Sequence, residues 1–369
     1  MITVANAIRH NTGPVVVSGM IVSISTPFKM ISKTKWACRN PSCDNIYEIK
    51  HEPPLMYLPE RKIECAKCQS SNLIPNPEHI NAKTIQIQDS EPSGDLERLD
   101  VYLYEDDTQN VNAGEIVEIT GNIHIQSNSK NKKQFAVLHA DSIKYKHRED
   151  LSITQKDIEA FKKFARFPKV TERLVSMCAP NVIGHQDKKI GILRSAVGAL
   201  EKNGIRRGRI NTLLVGPPGT AKSMLATESI KLLPNSRYVT AQNASGKSLT
   251  AIIDKENDTT VLRLGPIPLS KNAICAINEI GSMNFEDQRF LLDIMEEGKF
   301  TIDKYAIHQE IDSKTTIIAT ANPNTAYWKD SIRITNEEIP VARALLDRFD
   351  QVFAFSDMNS EGDNSLRYL

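Results

Sequence analysis

The sequence predicts a multidomain chain: a β-rich barrel interrupted by a metal-binding ribbon, followed by an α/β domain built on a parallel sheet. Three observations carry this. Strand-like stretches separated by turn residues fill the first 150 positions, four cysteines fall there in two close pairs, and beyond residue 180 helical stretches alternate with short apolar runs. A chain of 369 residues holds two or three domains, and with 40% hydrophobic and 25% charged residues it has the composition to pack a core. Lys and Arg (46) nearly balance Asp and Glu (45). That excludes a polycationic tail or a strongly basic nucleic-acid coat, though not a local basic strip. No apolar run reaches the roughly 18–20 residues of a membrane-crossing helix. The start, Met1 to Arg9, has neither the basic opening nor the long apolar core of a secretory leader, so an intracellular protein is expected.

The expected strands of the first part are Val15–Ile24, Thr84–Gln88, Leu99–Tyr104, Ile116–Ile125 and Phe135–Leu138. Five strands of this length around a metal ribbon suit a small closed OB-type barrel, with a β-sandwich as the competing architecture. After the charged stretch Lys144–Asp150, Thr154-Gln-Lys-Asp157 opens a helix in capping-box fashion; Ile158, Phe161, Phe164 and Ala165 give it a face, and Pro168 ends it. The apolar runs Thr212–Val215, Ala273–Ile277, Thr316–Ala319 and Gln351–Ala354 are then the buried strands of the parallel sheet. The expected division is a barrel domain over 1–150 with the ribbon at about 36–72, a linker helix over 151–175, and an α/β core over 176–369.

Cys38-Arg-Asn-Pro-Ser-Cys43 and Cys65-Ala-Lys-Cys68 are two tight thiol pairs with 21 residues between them. Such spacing reads as one tetrahedral Zn²⁺ site of Cys38, Cys43, Cys65 and Cys68. Four protein ligands leave no position open to water, so the site is structural. Cys178 and Cys275 stand alone in apolar surroundings and read as small buried hydrophobes.

Gly216-Pro217-Pro218-Gly219-Thr220-Ala221-Lys222-Ser223 lies between an apolar strand and a helical run. A loop of this kind holds phosphates on backbone N–H groups and a helix N-terminus. The lysine, here Lys222, reaches the β/γ-phosphates and the hydroxyl, here Ser223, ligates Mg²⁺. Ala221 stands where Gly usually precedes the lysine. A second strand ends in Ile277-Asn278-Glu279. The position of Asn278 normally carries an Asp that helps to hold Mg²⁺, and an amide supplies an acceptor without the charge; slower hydrolysis with nucleotide binding less affected is expected. Glu279 is placed to polarise an attacking water. Thr320-Ala-Asn322-Pro323 brings the Asn322 amide toward a γ-phosphate, and Arg348, in Leu345-Leu-Asp-Arg348-Phe-Asp350, suits a finger that completes a neighbour's site.

Together these segments resemble the minichromosome maintenance (MCM) replicative helicases, the archaeal type in particular. The likeness runs along nearly the whole chain. Ala179–Lys189 resembles the opening of the MCM ATPase domain, Arg207–Ser223 its Walker A region including the Ala before the Lys, Ala321-Asn-Pro323 its sensor 1, and Arg348-Phe-Asp350 its arginine-finger motif. The resemblance implies an AAA+ fold, ATP with Mg²⁺ hydrolysed between subunits of a hexameric or mixed ring, and single- or double-stranded DNA in the channel, hence a chromosome-associated protein. It also implies DNA contacts from two hairpins, one carrying Lys130, Lys132 and Lys133 and the other Lys304 near its tip. Lysines there would clasp backbone phosphates without reading sequence.

Departures from the family pattern point the other way. Asn278-Glu-Ile-Gly-Ser-Met283 replaces Asp-Glu-Phe-Asp-Lys-Met, and Asp347 precedes the finger where Ser is usual, as a prospective partner of Arg348. The helical subdomain ahead of the barrel, the lid with its sensor-2 arginine and a winged-helix tail are expected to be missing. Two readings therefore stand: a helicase or helicase subunit, and a shortened relative that binds nucleotide and DNA but hydrolyses little. An AAA+ remodeller of protein targets is a third, which the barrel, ribbon and hairpin lysines disfavour.

Overall fold

The computed structural model describes residues 2–9, 13–58, 64–89, 97–109, 111–127, 134–146, 154–199, 207–256, 259–304, 307–325, 327–329 and 335–355. Two compact units result: one built on Met1–Lys146 that also takes in Ile253–Leu262, the other built on the chain from His147 onward.

In the first unit, helix α1 (Val4–Arg9) precedes strands β1 (Gly13–Ser25), β2 (Phe28–Cys38), β3 (Ile46–Leu55), β4 (Leu73–Gln88), β5 (Arg98–Tyr104), β6 (Ile116–Ser127) and β7 (Gln134–Lys146). The order β1-β6-β7-β5-β4, with β1 paired again to β4, closes five strands on themselves. Closure decides between the barrel and the sandwich, because a sandwich keeps free sheet edges. Alternation fills the barrel: in β5, Leu99, Val101 and Leu103 are fully buried while Asp100 and Tyr102 are not. Around them lie Ile21, Ile85, Ile87, Ile119, Ile123 and Leu138. Gly121 marks the irregularity in the β6–β7 pairing, where a Cβ would come within 2.1 Å of the His139 carbonyl oxygen, so the two backbones meet there only without a side chain.

β2, β3 and the first half of β4 form the ribbon, and the sequence did not announce them as strands. Charge pairs accompany the backbone ladder: Lys33 and Lys35 each lie 2.7 Å from the Glu78 carboxylate. β2 buries Thr34 and Trp36 on the face opposite these lysines, but a threonine and a lone tryptophan among charged neighbours make no apolar alternation to detect.

The second part of the chain opens with α2 (Gln155–Ala165). Its capping box is present: the Thr154 N–H donates to Asp157 Oδ2 at 2.9 Å, and the Asp157 N–H to Thr154 Oγ1 at 3.3 Å. None of its side chains is buried, so its apolar face is formed but not packed. α3 (Val170–Met177) and α4 (Gln186–Val197) follow. The strands β8 (Thr212–Val215), β9 (Arg237–Thr240), β10 (Ala251–Glu256), β11 (Thr259–Leu264), β12 (Ile274–Asn278), β13 (Lys299–Lys304), β14 (Ile307–Asp312), β15 (Thr316–Ala321) and β16 (Gln351–Ala354) complete the set. Five of them make a parallel sheet in the order β16-β8-β15-β12-β9. β8, β12, β15 and β16 are the apolar runs expected from the sequence; the first three are buried as expected, while β16, at the sheet edge, alternates half-buried with exposed residues. β9 is an edge strand of alternating exposure, and β10 and β11 carried no signal that was recognised. β8 sits between β16 and β15, where the chain order reverses, and the carboxyl end of such a strand is where this architecture binds ligands. Cys178 and Cys275 are buried in the two apolar clusters on this sheet, as expected of small hydrophobes.

Candidate nucleotide site and four-cysteine cluster

Residues 216–223 leave the carboxyl end of β8 and enter α5 (Lys222–Ser229). The Gly216 N–H donates to the Ala321 carbonyl at 3.2 Å, which ties the loop to β15. Gly219 has φ +80° with open space where a Cβ would stand, and Ala221 takes φ +64° as the residue capping α5. Alanine at a left-handed φ costs on the order of 1 kcal/mol, which Gly at this place avoids. Pro218 and Gly219 are exposed, whereas Thr220 and Lys222 are buried. The Lys222 ammonium donates to the Pro217 carbonyl at 2.6 Å and to Thr220 Oγ1 at 3.2 Å. Burial pulls its pKa down to about 8, against the opposing pull of Glu279. The cost of that buried cation is fully present below pH 8 and is relieved as pH rises toward the ordinary lysine value. An anion in the cradle would relieve it too, so the loop fits a phosphate.

β12 delivers Asn278 beside the loop. Ser223 Oγ donates to Asn278 Oδ1 at 2.7 Å and Thr320 Oγ1 donates to the same oxygen at 2.8 Å. The Glu279 N–H donates to Thr320 Oγ1 at 3.0 Å. Glu279 itself has φ +59°, a conformation strained for glutamate, and its carboxylate accepts a hydrogen bond from the Gln242 amide. Glu279, Ser282 and Asn322 share a cleft of about 270 Å³ with Gly281, Pro323, Asn324 and Pro340. The structure thus brings Lys222, Ser223, Asn278, Glu279 and Asn322 to one end of one sheet. Thr320 and Gln242 belong to this group and sequence reasoning missed both. In the sequence Thr320 stands only as the start of the Asn322 motif, one residue past the apolar run, and Gln242 follows β9, whose half-exposed residues make no apolar run.

Arg348 lies elsewhere. Its carbonyl accepts from Arg207 Nη2 at 2.8 Å, and Asp350 is held by Arg207 at 2.9 Å and by the Asn211 N–H at 2.7 Å. Asn211 precedes β8, so Arg348 sits at the amino end of the sheet, about 13 Å along a four-residue strand from the phosphate loop. Its guanidinium pairs with Glu296 at 2.5 Å, while Asp347 pairs with Arg343 at 3.7 Å. The sequence expectation that Asp347 takes up Arg348 is therefore corrected: Arg343 lies one helical turn before Asp347 and claims its carboxylate.

In the first unit, the Sγ atoms of Cys38, Cys43, Cys65 and Cys68 all lie within 4.8 Å of one another. Cys38 and Cys68 are 3.5 Å apart, Cys43 and Cys65 3.8 Å. Tetrahedral thiolates at the Zn–S distance stand roughly 3.8 Å apart, so the cluster fits zinc. The thiols are unequal. The Cys68 N–H, the Asn45 amide and the Lys67 N–H hold Cys65 down at about 6. Burial and the neighbouring sulfurs push Cys38 up to about 12 against the Asn40 N–H. Four such sulfurs ionise together only around a cation.

Comparison with known proteins now decides the family. The model of the MCM P-loop domain matches residues 157–367 and that of the MCM OB domain residues 9–127. The chain belongs to the MCM family. Among its relatives are the DNA replication licensing factor mcm4-A of Xenopus laevis, 28% identical over 94% of this chain and 44% of the relative. The minichromosome maintenance protein MCM of Saccharolobus solfataricus is 26% identical over 95% and 54%, and the DNA replication licensing factor mcm7 of Schizosaccharomyces pombe 32% identical over 75% and 38%. The chain thus spans about half the length of these MCM proteins, or less. Of the lysines that the MCM resemblance offers for DNA, Lys304 is exposed at the end of β13, which pairs with β14. Lys130, Lys132 and Lys133 lie outside the described residues. Among those described, no helix is long and apolar enough to cross a membrane.

Proposed function

We propose that this chain is an ATP- and DNA-binding subunit of an MCM-type ring, a replicative helicase or part of one acting at the chromosome. The convergence of Lys222, Ser223, Asn278, Glu279 and Asn322 at the carboxyl end of the sheet carries the reading. Lys222 and the N–H groups of 216–223 hold the phosphates of ATP, Ser223 presents its oxygen toward Mg²⁺ while Asn278 accepts its hydroxyl hydrogen, and Glu279 takes the proton of the attacking water. Mg²⁺, when bound, neutralises charge on the phosphates. Asn322 hydrogen-bonds the terminal phosphate. Arg348, far from its own loop, serves the site of a neighbour, and release of its pair with Glu296 is part of that service. Lys304, with Lys130, Lys132 and Lys133, contacts DNA phosphates, while zinc on the four cysteines holds the ribbon.

A second reading, a relative that binds nucleotide and hydrolyses little, draws on Asn278 and on the occupied state of Arg348. ATP turnover with and without single-stranded DNA, measured on the wild type and Asn278→Asp, separates the two. Turnover in the wild type supports the helicase reading, and activity appearing only in Asn278→Asp supports the second. Absence of nucleotide binding in both proteins sinks the proposal.

A further inference from the structure

We infer that Thr320 is a positioning residue that sets which end of the Asn278 amide faces Ser223, so that asparagine serves where a carboxylate is usual. The inference rests on the nucleotide-binding reading above. A carboxylate offers the same atom on both sides, whereas an amide has an oxygen on one side and an NH₂ on the other. Turned one way, Asn278 gives Ser223 an acceptor. Turned the other way, it gives a donor, and the hydroxyl oxygen that a cation needs is spent on an N–H.

The surroundings choose the first orientation. Thr320 is 1% exposed, and its hydroxyl oxygen accepts the Glu279 N–H at 3.0 Å. Its hydroxyl hydrogen points to Asn278 Oδ1 at 2.8 Å. A buried hydroxyl hydrogen without an acceptor is costly, so Thr320 holds the amide oxygen on its side. The Ser223 hydroxyl reaches that oxygen as well, at 2.7 Å. The same threonine also anchors the backbone of Glu279, so one buried side chain ties together the candidate metal-side amide and the candidate base.

The test is binding of a fluorescent ATP analogue to the full chain, once with Mg²⁺ and once with EDTA. The wild type is expected to bind more tightly with Mg²⁺. Thr320→Val, nearly isosteric, is expected to lose about tenfold of the Mg²⁺-supported affinity while keeping its affinity in EDTA. Thr320→Ser keeps both. In the Asn278→Asp background Thr320→Val is expected to cost little, because a carboxylate has no orientation to lose. Thr320→Ala, which relieves any crowding, serves the same comparison where Thr320→Val does not fold. Wild-type Mg²⁺ dependence in Thr320→Val, or an equal loss in the Asn278→Asp background, overturns the inference. So does a wild type that binds equally well with and without Mg²⁺. A wild type that binds in neither medium refutes the nucleotide reading itself, and this inference with it.

Discussion

The four-cysteine cluster and the nucleotide loop make an instructive pair, because one closes within a single unit and the other does not. In the ribbon all four sulfurs converge within 4.8 Å, and three of the nearby N–H donors come from Asn45, Lys67 and Cys68 of the same ribbon. Nothing further is needed to complete a tetrahedron. In the second unit five candidate residues gather at one end of the sheet while Arg348 is held at the other by Arg207 and Glu296. Local chain geometry finishes the first site. On the proposed function, the second is finished by an arginine that a neighbouring subunit brings to it.

That contrast is open to attack, most forcefully at the ribbon. Cys65→Ser is expected to remove about one equivalent of zinc, measured by metal analysis, and to lower the melting temperature of the whole chain. Metal retained at wild-type stoichiometry breaks the idea of a closed four-thiolate site. At the loop, Lys222→Ala is expected to weaken nucleotide binding by about 2 kcal/mol, some thirtyfold in Kd, while zinc content stays unchanged. Loss of zinc in that variant would show that the two sites are not independent.

The smallest effect concerns the barrel wall. Burial, then the neighbouring His124, pulls the His139 pKa down to about 4, and the Tyr104 hydroxyl lies on its ring nitrogen. A histidine folded in its neutral form binds fewer protons than the unfolded chain does. Its contribution to stability is complete above about pH 6.5 and is lost as pH falls toward 4. Denaturant unfolding of His139→Gln at several pH values is expected to lack that part of the slope.

How much of this was legible beforehand depended on the kind of signal. β8, β12 and β15 are buried on both faces, and continuous apolar runs mark such strands plainly, whereas β16 alternates half-buried with exposed residues at the sheet edge. The barrel strands carry β-branched and apolar stretches bounded by turn residues, with clean alternation in β5, and the sequence predicts them. It does not predict β2, β3 and the ribbon half of β4, since charged residues such as Lys33 and Glu78 interrupt the few buried positions, Trp36 among them. Cysteine spacing located the metal cluster, and a glycine-rich loop before a lysine located the phosphate cradle. Thr320 and Gln242 escaped because their roles exist only across strands: a hydroxyl just past an apolar run says nothing until β12 lies beside β15. The partner of Arg348 escaped for a related reason. Asp347 is adjacent in sequence, but Glu296 is adjacent in space.

On the proposed function, in which Arg348 serves a neighbour's site, its separation from its own loop gives the molecule a direction. A subunit with a receiving face at one end of its sheet and an offered cation at the other can satisfy its like only head to tail. An open row of such subunits always leaves one receiving face unserved and one cation unused. Closing the row removes both defects at once, so the last subunit to join would gain two completed faces where each earlier one gained a single face. Assembly would then depend steeply on concentration near closure, a cooperativity already written into which end of one five-stranded sheet an arginine occupies.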